Sequence, residues 1–505
     1  MRSLLFDWAW AWPVLGLLGL LLFPGAASAA PPKGILGTTE CFDLAHVPAT
    51  ASATWFVRPD GGDADRCTGR ANAPYPGTGL HRDCAFAHPF DALPPGAKPR
   101  IAGGDVLVIA PGAYRMGYGA PGTKDACSRT ASYDCVMPPI PSGPSPARPT
   151  RIVGALDGHG ALPELWGAER AWFVVNLKGT ANAEVSCLEI TDHSDCVEYH
   201  PGKLTCERDR APYGDWAATG ILAVDARHIV LRSLDIHGLA SSGITAGRVA
   251  DWTLVDVFVT ANGLVGWLGD LGEPSGDAGA LTFRRVTFDW NGCGENARRE
   301  PIGCWSEEAG GYGAGLGTGT TGGNWRFEDS RFIHNVGDGL DLGSLDGTGT
   351  VAIDRVWSEG NGGHQLRARG AVTVTRTVAV GGPGGEPIRL EPLPGRSLEV
   401  ERSTVIGQTG ALLGVVSPPA RADLCGRLRP ISVAASILIG NDLAAPVYKE
   451  CGGLEGAGPP VEVTGSVLWR TRGDVCAGNV CVDPELDPAT LAPRPGSPAV
   501  GRGAR

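Results

Sequence analysis

The chain has 505 residues, of which 43% are hydrophobic and 19% are charged. This composition is too apolar for a disordered chain, and the length allows a large hydrophobic core. The formal net charge of −11 argues against nucleic acid as a partner, because such proteins present a basic face.

The N-terminus has the three parts of a secretory signal peptide. Arg2 provides a positive start, residues 14–23 form an apolar run, and Ala27-Ser28-Ala29 is a small-residue cleavage site. The apolar run is shorter than the roughly 20 residues that a membrane-spanning helix needs. We therefore expect a signal peptide over residues 1–29, a secreted or periplasmic mature protein, and no membrane span after cleavage.

Cysteine usage agrees with export. All 14 cysteines follow the expected cleavage site, and an even number in an exported chain indicates disulfides. Three pairs are close enough in sequence for local disulfides: Cys127 and Cys135, Cys293 and Cys304, and Cys476 and Cys481. One member of a further cluster is left for a distant partner: Cys187, Cys196 and Cys206. The chain has no Cys-x-x-Cys pair, which argues against zinc.

An internal repeat dominates the chain after residue 100. Its unit is a run of alternating β-type residues, a second short apolar run, and a closing Asn-Gly or Gly-Gly. Clear copies occupy residues 229–238, 252–263, 281–292 and 325–335. A third short strand follows each copy, with two series of evenly spaced equivalent positions. One series is Leu222, Thr245 and Leu268, and the other, with a period longer by one, is Gly317, Asp341, Gln365, Arg389 and Leu413.

Three short strands in each turn of roughly 24 residues predict an all-β chain with the right-handed parallel β-helix fold. A β-sandwich has no constant period, and a propeller blade needs roughly 40 residues or more. Alternation predicts inward side chains at Leu340, Leu342, Leu366, Ile388 and Leu390. It predicts outward side chains at Asp341, Gln365 and Arg389.

The repeat and its flanks also predict how the chain is organised. Residues 30–100 are expected to form a disulfide-containing lead-in and N-terminal cap, with a capping helix over residues 85–93. The β-helix is expected over residues 101–420. Terminal rungs and a C-terminal closure are expected over residues 421–505, because an open solenoid end must be covered.

Both ends of the mature chain resemble a known group of proteins. Residues 54–63 (TWFVRPDGGD) and 104–114 (GDVLVIAPGAY) resemble the start of secreted bacterial right-handed parallel β-helix proteins of the pectate-lyase-like superfamily. Residues 482–488 (VDPELDP) and 495–500 (PGSPAV) resemble their close. That superfamily contains polysaccharide lyases, glycoside hydrolases, epimerases and non-catalytic proteins. The resemblance therefore implies the fold and a polysaccharide partner, without choosing one activity.

One segment resembles a calcium site. Residues 335–342 are similar to the calcium-binding Asp-Gly-x-Asp segment of β-helix pectate lyases. The resemblance implies that Asp338 and Asp341 bind calcium, with Asp346 as a third ligand. Calcium requires several hard oxygen ligands, and it can bridge to a uronate carboxylate of the substrate.

The rung that follows resembles the one that supplies a lysine base in those lyases. This chain has Gln365 at that position, and glutamine cannot abstract a proton. We expect Arg367 or Arg389 to act as the base instead, with Asp341 beside them in the catalytic site. His364 on the same rung could act as the base if it reached the surface, but it has the register of an inward position and is expected to be packed.

Two loop excursions interrupt the repeat and are candidates for binding substrate. About 20 extra residues lie between Asn291 and Ala309, and a second excursion covers residues 269–279. Long loops on a rigid scaffold commonly carry binding function. The residues expected to contact substrate lie in these excursions or on adjoining strands: Trp267, Trp290, Arg298, Arg299, Trp305, Tyr312, His334 and Gln365. For each aromatic ring, simple packing of the loop onto the helix explains the residue equally well.

Three functions remain open from the sequence. The first is a calcium-assisted polysaccharide lyase that acts as a monomer on an extended, anionic, uronate-containing glycan. The second is a glycoside hydrolase that uses Asp338 and Asp341 as paired acid and base. The third is a non-catalytic glycan-binding or structural surface protein. In that case Asp-Gly and Asn-Gly serve only the tight corners, and the opposite charges only fix the register.

Overall fold

The computed structural model describes residue 41 and residues 52–123, 126–156, 160–199, 203–204, 210–271, 276–304, 313–382, 384–407, 410–415, 429–440, 448–449, 461–472 and 476–504. The expected signal peptide over residues 1–29 lies outside these ranges, as do Trp305 and Tyr312. Within the described ranges, no helix is long and apolar enough to cross a membrane.

The chain winds as a parallel β-helix in which successive turns give strands to three faces. Three long strands, β7 (Ala181–Asp192), β11 (Arg227–His237) and β13 (Ala250–Thr260), bend around the corner between the first and second faces. The first and second faces therefore form one continuous sheet of 23 described strands, and ten further strands form the third face.

The strands of each face are as follows. The first face contains the first parts of β7, β11 and β13 together with β1 (Thr54–Gly62), β2 (Val106–Ile109), β4 (Thr150–Gly154), β15 (Ala278–Arg284), β20 (Asn324–Glu328), β23 (Thr350–Asp354), β26 (Ala371–Thr375), β29 (Leu398–Glu401), β32 (Ile431–Ala434) and β35 (Val461–Thr464). The second face contains the second parts of the same long strands together with β3 (Ala113–Gly117), β5 (Glu164–Ala168), β16 (Thr287–Asp289), β21 (Arg331–Ile333), β24 (Trp357–Glu359), β27 (Val378–Val380), β30 (Thr404–Ile406), β33 (Ile437–Ile439), β36 (Val467–Trp469) and β37 (Val480–Cys481). The third face contains β6 (Ala171–Asn176), β10 (Ala217–Val224), β12 (Ser242–Gly247), β14 (Val265–Gly269), β19 (Leu316–Thr318), β22 (Leu340–Leu342), β25 (Leu366–Arg369), β28 (Ile388–Glu391), β31 (Leu413–Val415) and β34 (Tyr448–Lys449).

The remaining described elements are short. Two antiparallel hairpins lie in loops: β8 (Glu198–Tyr199) with β9 (Lys203–Leu204), and β17 (Gly294–Glu295) with β18 (Pro301–Ile302). The helix α1 (Pro89–Ala92) falls inside the predicted capping segment, and its Phe90 is buried. A 3-10 helix covers Arg129–Asp134.

Successive rungs pair in parallel, as the repeat predicts. On the third face, Leu222 pairs with Thr245, and Thr245 pairs with Leu268. The five side chains predicted to point inward are at most 1% exposed: Leu340, Leu342, Leu366, Ile388 and Leu390. The predicted parallel β-helix fold is therefore confirmed.

One column of the predicted register is wrong. Arg367, not Gln365, pairs with Asp341, and Arg389 pairs with Arg367. The turn from Asp341 to Arg367 is longer than the predicted period and the next turn is shorter by the same amount, so the shift cancels at Arg389. Two arginines therefore follow Asp341 in its outward column, where the sequence predicted a glutamine and one arginine.

Gln365 is buried because it ends a ladder of asparagine side chains at the corner between the second and third faces. Each amide donates to the next side chain: Asn262 to Asn291 over 3.0 Å, Asn291 to Asn335 over 2.9 Å, and Asn335 to Asn361 over 2.8 Å. Asn361 then donates to Oε1 of Gln365 over 2.7 Å. Gln365 is 0% exposed, so the prediction that it contacts substrate is wrong.

Aromatic rings fill the middle of the coil. Trp267 is 0% exposed, and its ring centroid lies 5.7 Å from that of Trp252, 5.5 Å from that of Phe283 and 6.5 Å from that of Trp325. The prediction that Trp267 contacts substrate is wrong, because its inward position on β14 places the ring in the core.

Disulfides fasten the loops to this frame. The three predicted local disulfides are present: Cys127–Cys135, Cys293–Cys304 and Cys476–Cys481. Cys187 bonds to Cys41, 146 residues away, as expected for one member of its cluster. A further disulfide, Cys67–Cys84, closes a loop in the N-terminal lead-in.

Candidate functional site

The outward column of the third face brings opposite charges together. Its members pair in succession from β19 to β31: Gly317, Asp341, Arg367, Arg389 and Gly414. Equivalent residues of neighbouring parallel strands lie about 4.8 Å apart, so charges on successive rungs interact directly. We call the charged group around this column the third-face network: Asp338, Asp341, His364, Arg367, Glu386, Arg389 and Glu391.

Arg367 is held between two carboxylates. Its Nη1 donates to Oδ2 of Asp341 over 3.3 Å, and its Nε and Nη2 donate to Oε1 of Glu391 over 3.1 and 2.9 Å. Burial lowers the pKa of the guanidinium, but the two carboxylates outweigh burial and leave the pKa raised. The raised pKa favours the protonated guanidinium, which argues against the predicted role of Arg367 as the base; that role stays a prediction.

His364 lies between two further carboxylates. Its Nδ1 is 3.1 Å from Oδ1 of Asp338, its Nε2 is 3.1 Å from Oε2 of Glu386, and its backbone N–H donates to the same Oδ1 of Asp338 over 2.6 Å. Burial lowers the pKa of His364, but the hydrogen bonds to the two carboxylates dominate and raise it to about 9. The imidazole is therefore a cation at neutral pH. Nη1 of Arg389 lies 3.3 Å from Nε2 and adds a second positive charge.

Asp341 is the carboxyl group of the network whose proton affinity suits neutral pH. Burial raises its pKa, and repulsion by Asp338 raises it further. The charge of Arg367 and a hydrogen bond of 2.9 Å from the N–H of Gly343 to Oδ1 oppose the rise, and the pKa is about 6. A carboxyl group with this pKa can exchange a proton with substrate near neutrality, whereas an ordinary aspartate is already fully ionised there.

The predicted calcium ligands do not assemble into a calcium site. Asp338 and Asp341 already face the cationic side chains described above. Asp346 is exposed, and its Oδ1 accepts hydrogen bonds from the N–H and the hydroxyl of Thr348, each over 2.7 Å. Calcium binds six to eight oxygen ligands, and the fixed cations at both aspartates oppose a further positive charge. We therefore derive no step of the chemistry through calcium.

A second charged cluster lies on the second face. Glu189 of β7 pairs in register with Asp235 of β11, and His237 follows on the same strand. Potential ligand atoms of these three side chains lie within 4.8 Å of one another. In the part of the chain that the structure describes, this is the one group of three histidine and carboxylate side chains placed closely enough to hold a metal ion. A candidate metal site therefore exists, away from the predicted one.

The environment of His237 is strongly acidic. Its Nε2 is 2.9 Å from Oε1 of Glu189, and its Nδ1 is 2.5 Å from Oε1 of Glu295. Burial lowers its pKa, but Asp235, Glu189 and Glu295 together raise it to about 10. Arg299 balances part of the negative charge, since its Nη2 donates to Oδ2 of Asp235 over 2.8 Å. Glu189, His237, Glu295 and Arg299 border a cleft of about 810 Å³.

The long loop predicted to bind substrate reaches this cleft on the second face. The Cys293–Cys304 disulfide closes its described part, and the hairpin β17–β18 carries Glu295 and Arg299 to the cleft. Arg298 is exposed beside them. Arg299 lines a cavity that is bordered by Glu189 and His237 and includes no member of the third-face network. Whether Arg299 contacts substrate stays a prediction.

Trp290 and His334 form a stacked pair near the corner between the second and third faces. Their ring centroids are 4.8 Å apart, and Nδ1 of His334 lies 3.0 Å from Oδ1 of Asp289. The side chain of His334 is 35% exposed. The two residues are therefore brought together at the surface. Whether they contact substrate stays a prediction.

A groove that the sequence did not reveal lies on the N-terminal part of the third face. It has a volume of about 910 Å³ and is lined by residues of β6, β10 and β12 and by Tyr133. Trp172 is 57% exposed and stacks on Tyr133 with ring centroids 6.0 Å apart. The even spacing of the repeat predicted the column containing Leu222 and Thr245, which line this groove. Trp172 was missed because it precedes the first clear copy of the repeat.

Comparison with known proteins gives matches of fold. No protein-family model and no curated protein matches the sequence. Pectate lyase Pel9A matches at 13% identity and a TM-score of 0.37, over 71% of this chain and 76% of that chain. The A-module of the mannuronan C-5 epimerase AlgE6 of Azotobacter vinelandii matches at 11% identity and a TM-score of 0.38, over 76% of this chain and 88% of that chain. A rhamnogalacturonan lyase matches at 12% identity and a TM-score of 0.34, over 81% of this chain and 87% of that chain. At these identities the similarity concerns the fold alone.

Proposed function

We propose that this protein is an exported enzyme that cleaves an extended, uronate-containing polysaccharide by β-elimination at the third-face network. The observation that carries the proposal is the setting of Asp341, a carboxyl group with a pKa of about 6. It lies in a network that also contains the cations Arg367, His364 and Arg389. The network combines a group that can take up a proton at neutral pH with positive charge that can hold an anionic sugar.

The chemistry needs three contributions. β-Elimination removes the proton at C5 of a uronate, breaks the bond between C4 and the glycosidic oxygen, and leaves a double bond between C4 and C5. Ionised Asp341 accepts the C5 proton. Arg389 and protonated His364 neutralise the sugar carboxylate and stabilise the negative charge that develops on it. His364, which is protonated at neutral pH, can also return a proton to the departing glycosidic oxygen.

Positive charge in this scheme comes from side chains of the chain itself. His364 lies beside Asp338, one of the two aspartates that the sequence predicted as calcium ligands, and Arg389 lies beside His364. Activity should therefore persist when calcium is removed. Arg389 takes the role of an anion-binding group rather than that of the predicted base, because an arginine side chain does not lose its proton in proteins.

Hydrolysis is the second candidate, and one observation favours it. Repulsion by Asp338 raises the pKa of Asp341, so Asp341 can hold a proton at a pH where an ordinary aspartate is ionised. Such a pair can act as general acid and general base on either side of a glycosidic bond. The same residues would then cleave the chain with water and leave no double bond.

One experiment separates these outcomes. The mature protein is incubated with pectate, alginate or hyaluronan, each with calcium and with a chelator, and both ultraviolet absorbance and new reducing ends are measured. We expect absorbance from the unsaturated product to rise in both conditions with one polymer, and to vanish in Asp341→Asn. Asp346→Asn is the matched control, since Asp346 is exposed and serves a turn.

The other results each assign a different role. Reducing ends without ultraviolet absorbance would replace the lyase by the hydrolase. Absorbance that requires calcium would contradict the proposed source of positive charge. Neither signal on any of the three polymers would overturn both enzymatic proposals for these substrates and leave a binding or structural role.

A further inference from the structure

We infer that the groove on β6, β10 and β12 is a distal binding region for the same polysaccharide, with Trp172 as its stacking platform. This inference rests on the proposed function. It adds that the protein recognises a long chain rather than a short oligosaccharide, and it gives a role to residues that the cleavage chemistry does not use.

The exposure of Trp172 is the first observation. Tryptophan is on average a well-buried residue, because its large ring gains much from leaving water. In the described part of the chain, four large hydrophobic side chains are strongly exposed, and Trp172 is the aromatic one among them. A flat, exposed ring of this kind can stack on the apolar face of a sugar. Binding would then remove from water the apolar ring surface that folding leaves exposed.

The platform is rigid. Tyr133 stacks on Trp172, with 26° between the ring planes. Tyr133 lies in the 3-10 helix Arg129–Asp134, and the Cys127–Cys135 disulfide joins the two ends of this short segment and restricts its conformations. A ligand that stacks on the pair therefore does not have to order a mobile loop first, which lowers the entropic cost of binding.

The groove lies on the same face as the proposed cleavage site. Thr245 lines the groove, and the pairing of β12 with β14, β14 with β19 and β19 with β22 leads from its rung to that of Asp341. Three steps of about 4.8 Å give about 14 Å between the two positions. A single extended polymer can follow this straight column from the groove to the network, whereas a short oligosaccharide bound at Asp341 cannot reach Trp172.

The charge at the rim suits an anionic polymer. Arg170, Lys178 and Arg248 line the groove together with Glu198 and Asp225. Arg170 bonds to Glu198 over 2.6 Å, and Arg248 binds Asp225 through two hydrogen bonds. Lys178 supplies the excess positive charge of the rim and is exposed. A uronate carboxylate can bind there while a neighbouring sugar ring stacks on Trp172.

The test measures binding and cleavage separately. Binding is read from the retardation of Asp341→Asn protein in gels that contain pectate, alginate or hyaluronan, so that cleavage does not interfere. Adding Trp172→Ala should weaken binding to the retarding polymer about tenfold, or ~1.4 kcal/mol. Leu80→Ala is the matched control, because Leu80 is 67% exposed in the N-terminal lead-in. Lys178→Ala should reduce retardation most at low salt, with Lys98→Ala, another exposed lysine, as its control.

Cleavage by the otherwise unchanged protein gives the second readout. Trp172→Ala should lower kcat/KM on the polymer while leaving it unchanged on a trimer of the same sugar. Retardation that is unaffected by Trp172→Ala, or an equal effect on polymer and trimer, would overturn the distal region. The distal region would also be overturned if none of the three polymers retarded the protein, or if the protein self-associated through this groove. Retardation that depends on Trp172 without any cleavage would support the binding region and overturn the proposed chemistry alone.

Discussion

Arg367 lies directly opposite Asp341 on the next strand of the third face, and its Nη1 donates to Oδ2 of Asp341 over 3.3 Å. The guanidinium opposes the effects that raise the pKa of Asp341, of which burial and repulsion by Asp338 are the two largest. Arg367 therefore helps to set the pH above which Asp341 is ionised, although it takes no proton itself.

Replacing this cation should move the pH dependence of activity. In Arg367→Gln, burial and Asp338 act on Asp341 without the opposing charge, so the pKa of Asp341 should rise above its value of about 6. The acidic limb of the profile of kcat/KM against pH, which reports the free enzyme, should shift upward. Arg367→Lys keeps the charge and should shift the limb less. An acidic limb that stays in place in Arg367→Gln would show that another group controls it.

The raised pKa of His364 should make the folded protein less stable at alkaline pH than at neutral pH. Its pKa of about 9 in the folded state lies above its ordinary value of 6.5, so the folded state binds the proton more tightly than the unfolded state. The resulting stabilisation is fully present below about pH 6.5 and is lost as pH rises through about 9, with a size on the order of 3 kcal/mol.

Urea denaturation over this pH range measures that contribution. The free energy of unfolding should fall less between about pH 6 and pH 9.5 in His364→Gln than in the unchanged protein, because the variant has no proton to lose at this position. His228→Gln, which removes a more exposed histidine, should follow the unchanged protein. Parallel curves for His364→Gln and the unchanged protein would contradict the raised pKa.

The cleft on the second face depends on the positive charge of His237. The side chain of His237 is 4% exposed and lies between Glu189 and Glu295. His237→Gln leaves these carboxylates without their cation and should lower the free energy of unfolding at pH 7 by about 3 to 5 kcal/mol. His228→Gln on the same strand should change it by less than about 0.5 kcal/mol. Similar losses in the two variants would mean that His237 is neutral and contributes little.

The fold could be predicted because inward apolar side chains recur at the same position in many successive turns of the repeat. Leu340, Leu366 and Ile388 lie inside on successive rungs, and an error of register in one turn does not alter that pattern. The asparagines that close the repeat units marked corners in the sequence. Their continuous ladder of hydrogen bonds from Asn262 to Asn361 is a property of stacked turns that one turn does not reveal.

The site could be predicted only in part, for local and for long-range reasons. Asp338, Asp341 and Arg389 were identified because they lie within one segment of the repeat. Arg367 was also a candidate, but its pairing with Asp341 was not predicted, because adjacent turns of unequal length place Arg367 rather than Gln365 in the column. The cluster of His237 and Glu295 unites side chains 58 residues apart, and a disulfide-closed loop makes that contact. No spacing in the sequence encodes it.

Gln365 gives the sharpest test of the structural register. The resemblance to lyases with a lysine base suggests that Gln365→Lys would create a base, but the structure predicts the opposite. The side chain is 0% exposed and accepts from the amide of Asn361 over 2.7 Å. Lysine offers no acceptor there and would bury an ammonium group, so the free energy of unfolding should drop by more than about 3 kcal/mol. Gln365→Met, of similar size and without charge, should cost less, about 1 to 3 kcal/mol. Urea denaturation and the polymer assay are both needed to test this prediction. A stable Gln365→Lys protein with increased activity would place residue 365 at the surface and would support the uniform period that the sequence suggested.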